Sequence, residues 1–291
     1  MMISKKVVVI GAGAAGLMAG ATAALYGASV TIIEKNKRVG RKIMITGKGR
    51  CNLANNCDVQ TFINNVPVNG RFLYSAINAF TPEDTIEFFE SKGLKTKTER
   101  GNRVFPASDR SVDVVDTMYN YAVESGCKIV CDTANSLILE DGAVIGVKCE
   151  ENTYYADSVI ICCGGKSYPL TGSTGDGYTL AKQAGHTIVP LKPSLVPFTS
   201  GDKQCKDMQG LALKNVALRI VDKNSKKTVY SDFGEMLFTH FGMSGPMILS
   251  ASSHIRDIQP DRFIGEIDLK PALYFELLDR RIQNDFNSKS K

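Results

Sequence analysis

The chain has 291 residues, 43% of them hydrophobic and 22% charged, a composition of ordinary globular protein with length for one large domain or two smaller ones. Its formal net charge of +5 comes from scattered positives, densest at Lys35–Arg50 and Lys223–Lys227, which argues against a nucleic-acid surface and leaves room for an anionic ligand. Eight cysteines at irregular spacing frame no zinc site, and a chain of this length needs no disulfide scaffold; the expectation is reduced cytoplasmic thiols, mostly buried as small apolar side chains. Residues 7–33 carry no charge, but glycines at 11, 13, 16, 20 and 27 interrupt them. The pattern changes midway from a β-branched run to a small-residue run, so it predicts a strand, a turn and a helix rather than a membrane span or a leader peptide.

The first element is Lys6–Ile10, a β-branched run suited to a buried parallel strand. Gly11-Ala-Gly-Ala-Ala-Gly16 follows at once, then a helix of small residues over 14–26 closed by Gly27, then a second strand over 29–33 closed by Glu34. Strand, GxGxxG turn, helix and terminal acid together form a dinucleotide-binding unit. Gly11 permits the tight turn, Gly13 the approach of a diphosphate, and Gly16 close packing of helix on strand. The helix N-terminal amides suit the diphosphate, and Glu34 suits ribose hydroxyls. An acid at this position favours FAD or NAD over NADP.

The next segment, GRKIMITGKGRCNLANN over 40–56, neither alternates like a strand nor shows the spacing of an amphipathic helix. It begins just past the tip of the second strand, at the carboxyl edge of the sheet where open α/β folds bind ligands. Gly40, Gly47 and Gly49 allow backbone to approach a ligand; Arg41, Lys42, Lys48 and Arg50 are candidates to neutralise a diphosphate; Asn52 offers a donor and an acceptor to a ring edge.

Farther along, Thr81-Pro-Glu-Asp84 starts a helix over 83–92, with Thr81 as N-cap and Pro82 at the first position. Residues 101–109 read as a turn into a helix over 112–125. Segments 128–135, 136–140, 143–150 and 153–165 read as strands, with a hairpin turn at Glu140-Asp-Gly142. Cys162-Cys163 are expected as buried thiols, because an adjacent-cysteine disulfide is strained. Gly172, Gly175 and Gly177 open a second glycine turn before a helix over 177–184, with Asp176 able to cap it. The three prolines in 186–198 mark a domain crossover. Beyond it lie strands at 217–222, 226–231 and 263–270, a helix over 246–254 with Ser244 or Gly245 near its cap, and a last helix over 271–282.

In order, VVVIGAGAAGLMAG, EKNKRVGRKIMITGKGRCN, RVFPAS, CCGGKSYPLTGSTGDGYTLAKQAGH and GEMLFTHFGMSGPMIL resemble the BaiN-type, aminoacetone-oxidase-like family of FAD-binding flavoproteins, from Lys6 to about Leu278. The resemblance implies an α/β fold: a glutathione-reductase-type Rossmann FAD-binding domain, placed here at 1–189, an inserted small β-barrel at 190–270, and the start of a helical subdomain at 271–291. It also implies that TGKGRCN runs beside the flavin. The residues expected at FAD are Gly11, Gly13, Ala14, Ala15, Gly16, Glu34, Lys35, Arg41, Lys42, Thr46, Gly47, Gly49, Arg50, Cys51 and Asn52, then Cys163, Gly164, Gly165 and Asp176. The family continues with a C-terminal return that closes over the flavin. Nothing in this sequence matches it, so the chain is expected to be truncated relative to the family and to hold FAD poorly.

There is no second GxGxxG for a pyridine nucleotide, no CxxC redox pair, no P-loop and no metal cluster, so the flavin would carry the redox chemistry. The expected function is flavin-dependent oxidoreduction by hydride transfer, with a small-molecule substrate and NAD(P)H as a transient reductant. Within the resembled family one activity is reduction of carbon–carbon double bonds in oxo-bile acids, which makes a steroid enone one candidate. The alternatives are an FAD-dependent RNA-modifying protein and a non-catalytic flavin-binding fragment. Tyr168, His240 and Cys51 are candidate proton donors, and none is singled out.

Overall fold

In the computed structural model, residues 4–255 and 257–289 are described, and the chain divides between Val189 and Pro190 into two compact units. The first is built on a four-stranded parallel sheet whose order is Ser158–Ile161, Lys6–Ile10, Ser29–Glu34, Lys128–Cys131. Val9 pairs with Ile160 on one side and Ile32 on the other. Alternation along these strands covers both faces of the sheet. Val9 and Ile32 pack with Leu17, Val114, Val115 and Met118, whereas Val8, Ile10 and Ile33 pack with Leu137, Val147 and Leu180.

The helix Ala14–Leu25 joins the first two strands, so residues 7–33 are indeed a strand, a helix and a strand. No helix among the described residues is long and apolar enough to cross a membrane. The helix Ser111–Glu124 buries Val114, Val115, Met118 and Ala122, a spacing that keeps one face on the core. Pro82–Ser91 begins with the capping box read from sequence: the Thr81 hydroxyl accepts from Asp84 N–H, and Asp84 accepts from Thr81 N–H.

Several boundaries differ from the sequence reading. Residues 103–106 form a strand, not a turn, and pair with Thr96–Glu99 and Ala54–Asn55 in a small antiparallel sheet. The stretch 153–165 is two strands: Thr153–Tyr155 joins an antiparallel hairpin, and Ser158–Ile161 joins the parallel sheet. Residues 128–140 likewise divide at Asp132 between two sheets. The 40–56 segment contains a short helix, Arg41–Ile45.

In the second unit five strands run in the order Phe198–Thr199, Gly242–Ser244, Lys227–Thr239, Ala212–Asp222, Phe263–Asp268, all antiparallel. Val216, Leu218 and Ile220 alternate inward against Met236, Phe238, Met247 and Ile248, the last two from the helix Pro246–His254. That helix is capped by Gly245, not Ser244. The last helix runs over Phe275–Lys289 instead of opening at Pro271, because residues 271–274 form a turn first.

Candidate functional site

The carboxyl ends of the parallel strands open into a cavity of about 810 Å³ in the first unit, within the range usual for small-molecule and cofactor sites. The glycine turn forms one side. Gly11 N–H donates to Ile33 carbonyl at 2.7 Å, stitching the turn to the second strand. The helix that follows starts at Ala14 with Gly13 as its N-cap, no side-chain cap and no acid in its first turn. A Cβ on Gly13 would meet nothing within 4 Å. The helix therefore presents uncapped N–H groups and bare backbone to the cavity, the arrangement that suits an anion.

Glu34 closes the second strand and lines the same cavity. Its Oε2 accepts from Ala12 N–H at 2.8 Å, and its Oε1 accepts from the N–H and side-chain amide of Asn36 at 2.9 and 2.6 Å. Arg41 Nη1 donates to the Asn36 side-chain oxygen Oδ1. Lys35 pairs with Asp176 and donates to Thr174, and Lys42 donates to the Ser167 carbonyl at 2.7 Å. Asp176 is thus held by Lys35 and Thr174; the N-cap of its helix is Gly175. Burial works against its charge, but the Lys35 and Thr174 hydrogen bonds outweigh it and hold the carboxyl below the ordinary value.

Of the residues expected from sequence, Gly11, Gly13, Ala14, Ala15, Glu34, Lys35, Arg41, Lys42, Thr46, Cys51, Asn52, Cys163, Gly164 and Asp176 line this cavity. Gly16, Gly47, Gly49, Arg50 and Gly165 do not. Gly16 packs against the turn itself, where a Cβ would stand 1.8 Å from Gly11 carbonyl oxygen. Gly47 abuts Phe105, and Arg50 turns outward to Glu99 and Asp109. In the orientation that satisfies both ends of its amide, Asn52 donates to the Val104 and Ala54 carbonyls, leaving its oxygen free of that task.

Sequence reasoning missed Asp132, Thr133 and Ala134, which also line the cavity. Asp132 is 5% exposed and directly follows the parallel strand Lys128–Cys131. Its carboxylate accepts from the N–H groups of Thr133, Glu151 and Asn152 and from the Asn152 side chain. Burial raises its pKa, yet these hydrogen bonds win and the carboxyl titrates below the ordinary value. An acid ending a β-branched run, as Glu34 does, was the signal available.

All eight cysteines are free; Cys51, Cys127, Cys149 and Cys205 are buried, while Cys131 is exposed. Burial, then the Asp176 charge, pushes the Cys163 thiol up to about 11, and burial raises Cys51. Both therefore hold their protons at neutral pH. No group of three or more metal-ligating side chains occurs among the described residues.

A parallel sheet, a GxGxxG turn and an acid at the next strand end define a Rossmann dinucleotide-binding protein. Residues 5–252 match the model of the HI0933-like protein Rossmann domain, and the chain belongs to that family of FAD-binding Rossmann proteins. It is 31% identical over 250 residues to a 3-dehydro-bile acid delta(4,6)-reductase of Clostridium scindens, covering 85% of this chain and 59% of the relative. It is 31% identical over 270 residues to a ribosomal RNA dihydrouridine synthase of Haemophilus influenzae, covering 91% and 64%. The chain thus spans less than two thirds of the length of either relative. A solved 3-ketosteroid-delta4-(5alpha)-dehydrogenase of Rhodococcus jostii RHA1 shares the fold, with TM-score 0.50 and 14% identity over 77% of this chain and 67% of that one.

Proposed function

We propose that this chain holds FAD in the cavity of its first unit and serves the reduction of a carbon–carbon double bond conjugated to a carbonyl. The observation that carries this reading is the uncapped helix start at Gly13–Ala15 facing the same cavity as Glu34. The turn backbone suits a diphosphate, and the acceptor site left on Glu34 Oε2 beside Ala12 N–H suits a ribose hydroxyl; Lys35, Arg41 and Lys42 supply positive charge nearby. Bound FAD, once reduced by an external two-electron donor such as NAD(P)H, would supply the hydride from its N5 and return to the oxidised form.

The names of the two relatives support the reaction class. A delta(4,6)-reductase of a 3-oxo steroid and a synthase of dihydrouridine act on different molecules, but each name describes saturation of a double bond conjugated to a carbonyl. Such a reduction needs hydride on one carbon and a proton on its neighbour. Cys51 is the one of the three candidate donors that lines the cavity, and it carries its proton at neutral pH. Tyr168 is 68% exposed and His240 belongs to the second unit, against the Phe241 ring. We favour a steroid- or bile-acid-like enone as substrate and NAD(P)H as the external reductant; the second relative supports uridine in RNA as the other reading.

The test is an anaerobic one. The chain is titrated with FAD, reduced, and mixed separately with a steroid enone and a uridine-containing RNA, following reappearance of oxidised flavin absorbance. Reoxidation by the enone alone supports the favoured substrate, and reoxidation by the RNA alone selects the other. Reoxidation by neither removes the double-bond reading. Failure to bind FAD at all removes the cofactor assignment, and Glu34→Ala should weaken FAD binding by about 1–3 kcal/mol, the usual effect of leaving polar partners unpaired.

A further inference from the structure

Within the 46–52 loop, Thr46, Cys51 and Asn52 line the cavity, but Arg50 does not. Its guanidinium lies 4.0 Å from the centroid of the Phe105 ring. The same Nη1 donates to Glu99 Oε1 at 2.8 Å and to Asp109 Oδ1 at 3.2 Å. Lys97 pairs with the other Asp109 oxygen and stands 3.8 Å from Glu99. Phe105 is 2% exposed, so the ring beneath the guanidinium is fixed by the core. Cation and ring attract, and the two carboxylates set the direction of the guanidinium.

The backbone of this loop is unusual. Gly47, Lys48, Gly49 and Cys51 all have positive φ, at 56°, 59°, 85° and 62°. For Lys48 and Cys51 that left-handed geometry is unfavourable, and it persists only where the surroundings over-determine it. Cys51 N–H donates to Thr46 carbonyl, closing the loop on itself, and Leu53 N–H donates to Val104 carbonyl, tying down its end. Asn52 fastens the far end of the loop to the Val104 and Ala54 carbonyls, and Arg50 fastens its outer side, reaching a strand at Glu99 and the turn at Asp109 ahead of the helix Ser111–Glu124.

We propose that Arg50 is a positioning residue: its clamp on Glu99 and Asp109, stacked on Phe105, holds the outer side of the loop so that Thr46, Cys51 and Asn52 keep their places in the cavity wall. An isolated exposed ion pair contributes little. Here one guanidinium joins two carboxylates and a buried ring, and it restrains a loop that opposes its own conformation. Releasing it loosens the loop and leaves the sheet beneath intact.

The test compares Arg50→Gln, the pair Glu99→Gln/Asp109→Asn, and all three substitutions together. Hydrogen exchange of amides 46–52 is read in the ligand-free chain, together with the thermal midpoint and FAD titration. The titration rests on the FAD reading above; the exchange measurement does not. Loop exchange is expected to quicken roughly three- to tenfold in each variant and the FAD Kd to rise by a similar factor, with the thermal midpoint little changed. The triple variant should be no worse than Arg50→Gln, since partners in one network are not additive. Additive losses overturn the clamp. So does weakened FAD binding in Arg50→Gln that the carboxylate pair does not reproduce, because Arg50 would then act on the cofactor itself. Unchanged loop exchange overturns it whatever the flavin does. Quickened exchange in a chain that never binds FAD upholds the clamp and removes the FAD reading instead.

Discussion

The Gly11–Gly16 turn and the Thr46–Asn52 loop, both rich in glycine, each contribute to the wall of one cavity, but different forces hold them. In the turn, backbone chiefly holds backbone, with one bond from Ala12 N–H to the Glu34 side chain besides: Gly11 N–H reaches Ile33 carbonyl, and the Gly16 α-carbon sits so close to Gly11 carbonyl that no side chain fits between. In the loop, backbone bonds at Cys51 and Leu53 close the ends, and side chains do the rest of the holding: Arg50 on Glu99 and Asp109, and Asn52 on two carbonyls. A wall set by contact is insensitive to salt and intolerant of a methyl group. A wall set by hydrogen bonds and charge accepts small changes of shape and responds to anything that removes a partner.

The largest expected effect breaks the first wall. Gly16→Ala places a methyl 1.8 Å from Gly11 carbonyl oxygen and 3.3 Å from Cys162 Cβ. Neither the strand nor the helix start can withdraw without losing its pairing, so the loss of stability should be about 3 kcal/mol or more, at the upper end of overpacking effects. Urea unfolding measures it. A loss well under about 1 kcal/mol would show that the helix slides freely, and would erase the distinction between the two walls.

Asp132 offers an intermediate effect on the side-chain-held part of the cavity. Asp132→Asn replaces an acceptor that faces several donors, and should cost about 1–3 kcal/mol at neutral pH. The folded-state pKa is lowered from 3.8. The contribution of the ionised group is therefore fully present above that value and lost as pH falls through the lower, folded one. The stability difference between parent and variant should be constant near neutrality and shrink on acidification below about pH 4. A difference that is flat down to the acid transition would mean that these hydrogen bonds do not depend on the carboxylate charge.

The same division explains what the sequence disclosed. The turn was legible because packing-held geometry needs particular residues at fixed spacing: glycines at 11, 13 and 16 and an acid at 34 admit few other readings. The capping box at Thr81–Asp84 was legible for the same reason, being local. Side-chain-held geometry joins residues far apart in the chain. Arg50 was read as a ligand-facing cation because its partners Glu99 and Asp109 lie 49 and 59 positions away. Asp132 escaped notice because its partners lie in the turn at 151–152, and the strand at 103–106 because it pairs on both sides with segments too short to read alone.

The smallest expected effect sharpens the comparison at Gly49. From sequence this residue stands beside the cofactor; in the structure it is exposed, does not line the cavity, and an added Cβ would meet nothing within 4 Å. What it requires is its φ of 85°, a left-handed conformation that disfavours a side chain by roughly 1–2 kcal/mol. Gly49→Ala should therefore lower stability by about 1 kcal/mol, and Gly49→Val somewhat more, since a β-branched residue suits this region least. Neither should diminish FAD occupancy when protein is fully folded, because Gly49 does not line the cavity and an added Cβ there meets open space. Melting curves measure the first effect and FAD titration the second. A Gly49→Ala chain with normal stability and lost FAD binding would put Gly49 back at the ligand, and would make the loop, like the turn, a wall set by close approach of backbone.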